Sequence, residues 1–477
     1  MRGVEFFRLP PERNVSPTRL TGTAHFDPEL VRRYDRPGPR YTSYPTAPHF
    51  RTDFDEASYR RALLESNGSG RPLSLYVHIP FCEHLCFYCA CTKVLTRHHE
   101  WGTDYVRRLE REMALVRRSL EDRPVVQLHF GGGTPTFLEA ADLTRLMAAI
   151  RRHFTLLADD EGEYGIEIDP RTVEPEGLAL LRSLGFNRLS LGVQDFDPEV
   201  QQAVHRIQPP ELVATLLTRA RSLGFRSLSL DLIYGLPRQT PESFARTLAT
   251  AVALRPDRMA LFNYAHLPEL FPAQRRLSTA ELPSPETKLE ILSTSIAALE
   301  EAGYVHIGMD HFAHPTDDLV RAQATGTLHR NFQGYTTHGE ADLVGFGMSA
   351  IGSVGNVYSQ NRKDLEAWNA ALDAGKLPVE RGLRLDAEDK LRRHIITRLI
   401  CDFRLDTEAL ARLSGIDFEE HFADCRPALE TLRADGLIEW NGPILRVTDR
   451  GRFLVRHVCM VFDAYLVEKR ARYSRVI

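Results

Sequence analysis

Four cysteines fall within ten residues, in the run CEHLCFYCAC from Cys82 to Cys91, and the first three follow the spacing C-x3-C-x2-C. Thiols this close invite three readings: a disulfide framework, a zinc site or an iron–sulfur cluster. Structural zinc sites usually pair two C-x2-C knuckles, or one such knuckle with a distant H-x3-5-H. Here Cys401, Cys425 and Cys459 stand alone, far down the chain. A single loop with three thiolates can wrap three corners of a cubane and leave one iron free to chelate a substrate or cofactor. Spacing favours the cluster and leaves zinc open.

The rest of the chain sets the frame for that loop. Its 477 residues suit two or three domains, and 43% apolar with 26% charged residues is ordinary for a globular enzyme. A formal net charge of −4 gives no basic footprint for nucleic acid. No stretch approaches the roughly 18 apolar residues of a membrane span. The start, MRGVEFFRLPPERNVSPTRL, lacks the apolar core of a secretory signal. The expected setting is the cytoplasm, where stable disulfides are rare, and the disulfide reading falls.

Strands and helices alternate around the cysteines. SLYVHIPF (74–81) predicts a strand that delivers the loop from its C-terminal end. Strands follow at 125–130, 164–169, 188–194, 227–235 and 258–264, separated by helices near 103–119, 138–153, 175–184, 210–223 and 241–254. Six strands alternating with helices predict a parallel sheet, because each parallel crossover needs a helix's worth of chain. The expected fold is α/β, an α/β barrel or partial barrel. Ligands of such folds sit beyond the carboxyl ends of the strands. There the sequence places HFGGGTPTF, EIDPR, GVQDF, DLIYGLP and NYAHLP. The triple glycine Gly131–Gly133 lacks the G-x-G-x-x-G spacing of a dinucleotide fold; it serves either a tight turn or the close approach of a ligand to bare backbone.

These residues carry a resemblance. The C-x3-C-x2-C loop after the first strand, with a glycine-rich loop after the second, resembles the radical S-adenosylmethionine (SAM) superfamily. Within it the chain is similar to the oxygen-independent coproporphyrinogen III oxidases. The stretches that carry this are PGPRYTSYPTA (37–47), LSLYVHIPFCEHLCFYCACTK (73–93), GGGTPTF (131–137), GFNRLSLGVQDF (185–196), DLIYGLPRQTPESF (231–244), NYAHLP (263–268), GMDHFA (308–313), HRNFQGYTT (329–337) and the final YSRVI. The implied fold is a partial (β/α)6 barrel with an N-terminal arm and a mostly helical, winged-helix-like C-terminal domain. The corresponding domains are 1–50, 51–375 and 376–477, with residues 1–25 outside the likeness as an extension.

The resemblance also implies roles. Cys82, Cys86 and Cys89 would hold a [4Fe–4S] cluster whose open iron binds SAM, and Cys91 would sit close to the chemistry. Tyr76, Gly132, Glu167 and Ile351 would line the SAM site at the cluster. A second SAM site would involve Tyr88, Gly133, Thr134, Gln194, Arg206, Asp231 and Ala265; Tyr88 departs from the phenylalanine frequent in relatives but keeps an aromatic face. The implied reaction is oxidative decarboxylation of coproporphyrinogen III to protoporphyrinogen IX in haem biosynthesis. It would be started by a 5′-deoxyadenosyl radical and would need a low-potential electron donor and a final electron acceptor.

Four propionates on such a substrate call for cations and donors, and Arg40, Tyr41 and Arg330 are the candidates, since a guanidinium grips a carboxylate in a two-pronged manner. The proline-rich arm 37–47 would be either a strap over the substrate or a linker on the barrel surface. The helices and short ribbon after residue 380 mix acids with arginines, so they predict a covering domain for the barrel mouth and no DNA contact. A monomer is expected. The nearer rival is a radical-SAM-like haem chaperone, and the more distant one a zinc nucleic-acid-binding protein. Relatives of the chaperone type generally lack the RYTSYPTA arm and differ at the position of Cys91.

Overall fold

The computed structural model describes residues 27–34, 36–158 and 160–466. The expected extension 1–25 and the terminal YSRVI lie outside the described residues. Contacts divide the chain into two compact units: one holds residues 49–302 and 340–385, the other residues up to 48, 303–339 and from 386 onward. This division differs from three consecutive stretches, because the segment 303–339 groups with the C-terminal part.

The larger unit is built on a sheet whose strands occur where the sequence predicts them. They are β1 (Leu73–Ile79), β2 (Val125–Gly132), β3 (Glu163–Ile168), β4 (Arg188–Gln194), β5 (Ser227–Tyr234) and β6 (Arg258–Asn263). All neighbours in this run pair in parallel. The intervening helices α1 (Glu100–Arg117), α2 (Ala140–His153), α3 (Pro175–Ser183), α4 (Pro210–Ser222) and α5 (Pro241–Ala253) supply the crossovers. Proline opens α3, α4 and α5, where its missing N–H costs no helical hydrogen bond. Strands β1 and β6 are not neighbours, so the six-stranded run stays open.

Four further strands extend the sheet beyond β1: β7 (Asp342–Phe346), β8 (Ile351–Val354), β9 (Val357–Asn361) and β10 (Val379–Arg384). Strand β7 pairs with β1 in parallel, and the remaining three follow as antiparallel neighbours. The sequence reading did not foresee them. DLVGF is a short apolar run bounded by glycine, and such a run becomes legible only once β1 is known to need a partner on that side.

Burial alternates along the strands in a way that selects the functional face. In β1 every residue is buried except Tyr76, which is half-buried, and β4 alternates between half-buried and buried from end to end. One face is dry and apolar; the other carries Tyr76, His129, Glu167, Ser190 and Asp231.

The smaller unit is mostly helical, as expected of the C-terminal part. Helix 387–402 begins with a reciprocal Asp386–Asp389 capping box and contacts helix 455–461. An antiparallel ribbon of residues 404–406, 444–447 and 438–441 completes the winged-helix-like pattern. The arm 37–46 is part of this unit. Tyr41 and Tyr44 are buried, the Tyr41 hydroxyl donates to Asp463 at 2.9 Å, and the Ala464 N–H donates to the Tyr44 oxygen at 3.1 Å. Arg456 donates to the carbonyls of Gly38 and Pro39. No helix among the described residues is long and apolar enough to cross a membrane.

Candidate functional site

The cysteine loop leaves β1 at Pro80 and is tied down along its length. Residues 81–82 pair in parallel with 94–95, closing the loop at its base. The Phe87 N–H donates to the Val204 carbonyl at 3.0 Å, the His205 ring stacks on Phe87, and Gln274 Nε2 donates to the Tyr88 carbonyl at 3.1 Å. Phe87 and Tyr88 pack on the apolar cluster Val200, Val204, Leu236, Tyr264 and Leu277. The aromatic residues between the cysteines therefore anchor the loop, which fixes the sulfurs without a disulfide.

Each of the three ligand-candidate sulfurs has a polar partner. Cys82 Sγ lies 3.4 Å from the Thr134 hydroxyl. Cys86 Sγ accepts from both Arg171 Nη2 and Arg206 Nη1 at 3.4 Å. Cys89 Sγ accepts from the backbone N–H of Cys91, also at 3.4 Å. Donors aimed at sulfur suit thiolates and tune whatever they ligate. Hydrogen bonding from Cys91 lowers the Cys89 thiol well below its usual range, against the effect of burial and with help from Lys93. Burial pushes the Cys82 thiol up to about 11. Among the described residues no three His, Cys, Asp or Glu side chains close on a single-ion centre. A cubane, in contrast, takes its thiolates at separate corners, and this donor set fits it.

Glycines make room where β1 and β2 end. Gly132 has φ +120°, a conformation that side chains rarely adopt, and a Cβ there would strike the His78 ring. At Gly133 a Cβ would come within 2.5 Å of the Pro80 carbonyl oxygen. The triple glycine thus lets the second loop lie directly against the exit of the first. Thr134, held by its own N–H to the Phe81 carbonyl at 2.9 Å, reaches Cys82 as a result.

Beside the loop runs the polar row of the sheet. Tyr76 and His129 are register partners on β1 and β2 with stacked rings, and the Tyr76 hydroxyl bonds His78 Nδ1 at 3.0 Å. His129 Nε2 meets Glu167 Oε1 at 3.1 Å, while the Gly132 N–H donates to Glu167 Oε2 at 3.2 Å. Burial alone would raise Glu167; the His129 and Gly132 contacts outweigh it and hold the carboxyl low. Further along, Ser190 donates to Asp231 at 3.2 Å, and burial followed by the Glu167 charge pushes Asp231 up to about 7. Two carboxyls on one face are driven to opposite protonation tendencies.

The sequence-selected residues of this unit therefore gather at one end of the sheet. Tyr76 lies opposite Gly345, and a Cβ on Gly345 would come within 2.8 Å of the Ile351 carbonyl oxygen, so Tyr76 and Ile351 flank β7 from its two sides. Arg206 donates to Asp169 at 3.0 Å and to the Gly192 carbonyl on the strand of Gln194. Gln194 has φ +71°, and the Ala265 carbonyl accepts from Gln274. Sequence reasoning missed His129, Ser190 and Arg171. The alternation of Gln127 and His129 within VVQLHF, and of Ser190 within RLSLGVQ, carried the signal for the first two.

The remaining candidates belong to the smaller unit. Arg40 pairs with Asp310 at 2.9 Å, and the Tyr41 hydroxyl is committed to Asp463. Arg330 lies over the Tyr335 ring at 4.8 Å, and its buried Nε and Nη1 have no hydrogen-bond partner. Burial would raise Asp310, but the charges of Arg40, His311, Arg330 and Arg456 hold it low. The structure thus brings Arg40 and Arg330 together around one carboxylate.

Comparison with known proteins places these features in context. The radical SAM superfamily pattern matches residues 76–251, and the HemN C-terminal domain pattern matches residues 385–454. The chain is 54% identical over 460 residues to an oxygen-independent coproporphyrinogen III oxidase of Pseudomonas aeruginosa, covering 96% of this chain and 100% of that protein. It is 48% identical to the Escherichia coli protein of the same name, over 95% and 98% of the two chains. The solved structure of E. coli coproporphyrinogen III oxidase (HemN), described as a radical SAM enzyme, superposes with a TM-score of 0.88 at 47% identity, over 93% of this chain and 99% of that one.

Proposed function

Because the chain belongs to the oxygen-independent coproporphyrinogen III oxidases of the radical SAM superfamily, we propose a division of labour among its site residues. The protein is an oxidoreductase of haem biosynthesis. It converts coproporphyrinogen III to protoporphyrinogen IX, turning the ring A and B propionates into vinyl groups, with a [4Fe–4S] cluster and SAM as cofactors. When bound, these supply an electron and a 5′-deoxyadenosyl radical that takes a hydrogen atom from the propionate β-carbon, after which carbon dioxide and one electron leave.

Cys82, Cys86 and Cys89 hold the cluster, and the donors on their sulfurs fix its orientation. Glu167, kept ionised by His129 and Gly132, accepts from ribose hydroxyls, while Tyr76 and Ile351 pack beside it. Asp231, Arg206, Thr134, Gly133, Gln194, Tyr88 and Ala265 serve a second SAM molecule. Cys91 stands next to the ligands without being one. Arg330 is the stronger propionate partner, since its buried donors are unmatched, whereas Arg40 is already shared with Asp310. Tyr41 anchors the arm that carries Arg40. A low-potential donor and a final acceptor complete the electron flow, and the chain works as a monomer in a reducing cytoplasm, which suits seven cysteines that form no disulfide.

The observation that carries this reading is the anchored three-cysteine loop beside the Tyr76–His129–Glu167 row. An anaerobic assay with coproporphyrinogen III, SAM and a reductant tests it. The expected products are protoporphyrinogen IX, carbon dioxide, methionine and 5′-deoxyadenosine. Haem binding without any turnover would instead support the chaperone reading and overturn this one.

A further inference from the structure

The stretch EIDPR at the end of β3 places two guanidinium groups on one sulfur. Asp169 caps the short turn 170–172 and accepts from the backbone N–H of Arg171 at 3.1 Å. Its carboxylate also takes the Arg171 side chain in a fork, Nε at 3.0 Å and Nη2 at 2.6 Å. The same Nη2 reaches Cys86 Sγ at 3.4 Å. From the other side, Arg206 Nη1 bridges Asp169 Oδ2 at 3.0 Å and Cys86 Sγ at 3.4 Å. All three side chains are largely withdrawn from solvent, at 15% exposed for Arg171, 9% for Asp169 and 7% for Arg206. Among the described residues Cys82 meets a hydroxyl, and Cys89 a backbone N–H, a thiol and the Lys93 ammonium, so Cys86 is distinct among the three in taking two guanidinium groups.

We propose that Arg171 is a positioning residue that sets the reduction potential of the [4Fe–4S] cluster through its hydrogen bond to Cys86. The inference rests on the reading of Cys86 as a cluster ligand. Reduction adds one negative charge to the cluster, part of it on the ligand sulfurs, and a buried cation with an N–H aimed at sulfur favours that state. Asp169 has two effects: it orients both guanidinium groups and offsets part of their charge. A purely structural Arg171 would hold the 170–172 turn and leave the potential unchanged.

The test is an EPR-monitored redox titration of the full chain with its cluster reconstituted anaerobically, without SAM, alongside iron and acid-labile sulfide analysis. Arg171→Gln is expected to retain its cluster and to show a tenfold lower ratio of reduced to oxidised cluster at any fixed poise, about 59 mV for a one-electron couple. Arg171→Lys, which keeps the charge, recovers most of that shift. Asp169→Asn, which removes the offsetting anion, moves the potential the other way. A fully loaded Arg171→Gln protein that titrates with the wild type overturns the proposal. If that variant loads no cluster, Asp169→Asn decides: its titrating with the wild type also overturns the proposal. A wild-type chain that takes up no cluster fails the ligand reading itself, which is a separate outcome.

Discussion

At the scale of single residues, the sulfur environments set the proposed ligands apart from Cys91. Cys86 is buried and bonded to two arginines, while Cys91 is exposed and gives its backbone N–H to Cys89. Cys86→Ala removes one of the three proposed protein ligands, and iron content and SAM cleavage should both collapse. Cys91→Ser should keep most of its iron yet lose product formation; iron falling as far as in Cys86→Ala would make Cys91 a ligand. Glu167 gives a second contrast. Of its hydrogen-bond partners among the described residues, His129 Nε2 and the Gly132 N–H, only the histidine can be removed without moving the backbone. A hydrogen bond to a charged group contributes roughly 1.5–3 kcal/mol. His129→Ala should therefore weaken SAM binding about tenfold in equilibrium dialysis, and His129→Gln, which retains a donor, should recover part of that. Unchanged affinity in the alanine variant would remove His129 from the site.

At the scale of elements, the arm 37–47 is the segment for which the fold adds most to the sequence reading. The sequence offers a cation, hydroxyls and rings on an extended, proline-rich stretch, which suggests a strap or a surface linker. The structure buries Tyr41 and Tyr44 within the smaller unit and leaves Arg40 at the edge, 35% exposed and paired with Asp310. Deleting residues 1–47 should leave cluster content intact, because those ligands belong to the other unit, while porphyrinogen turnover falls steeply. The same deletion strips two buried rings and should lower the melting temperature reported by Trp440. Arg40→Ala separates the two effects: it should spare the melting temperature and still lower turnover several-fold. Turnover at the wild-type rate in Arg40→Ala would leave the arm with packing alone.

At the scale of the whole molecule, acid should act on the two units unequally. Burial depresses His306 and His394 to about 4 and His329 and His457 to about 3, and all four lie in the smaller unit. Unfolded histidines take up protons near pH 6.5, whereas these stay neutral until the pH is far lower. The unfolded state thus binds more protons between about pH 6.5 and 4, and stability falls as the pH falls through that window. In the larger unit the same direction applies to His78 and His153. Pulsed hydrogen exchange should show residues 386–461 losing protection at a higher pH than residues 125–263. His306→Leu should flatten the slope by about one proton, roughly 1.4 kcal/mol per pH unit. Equal acid midpoints for both units would contradict this.

The sequence by itself determined what depends on local order along the chain. The six parallel strands, their crossover helices and the cysteine loop were legible because periodicity, proline at helix starts and ligand spacing all act within a few residues. Even the polar rim was visible, since strand ends are local features. Other facts were decided only when distant segments met. Strand β7 needed β1 as a partner, and the segment 303–339 joined the C-terminal unit across some fifty residues of intervening chain. His129 looked like any polar residue in an alternating strand until Glu167, thirty-eight positions away, arrived beside it. Arg171 looked like a turn residue until Cys86 did the same, eighty-five positions away. The physical reason is range: propensity and spacing operate between near neighbours, whereas the charge, burial and hydrogen bonding that give a side chain its chemistry come from residues that only the tertiary fold brings within 3–4 Å.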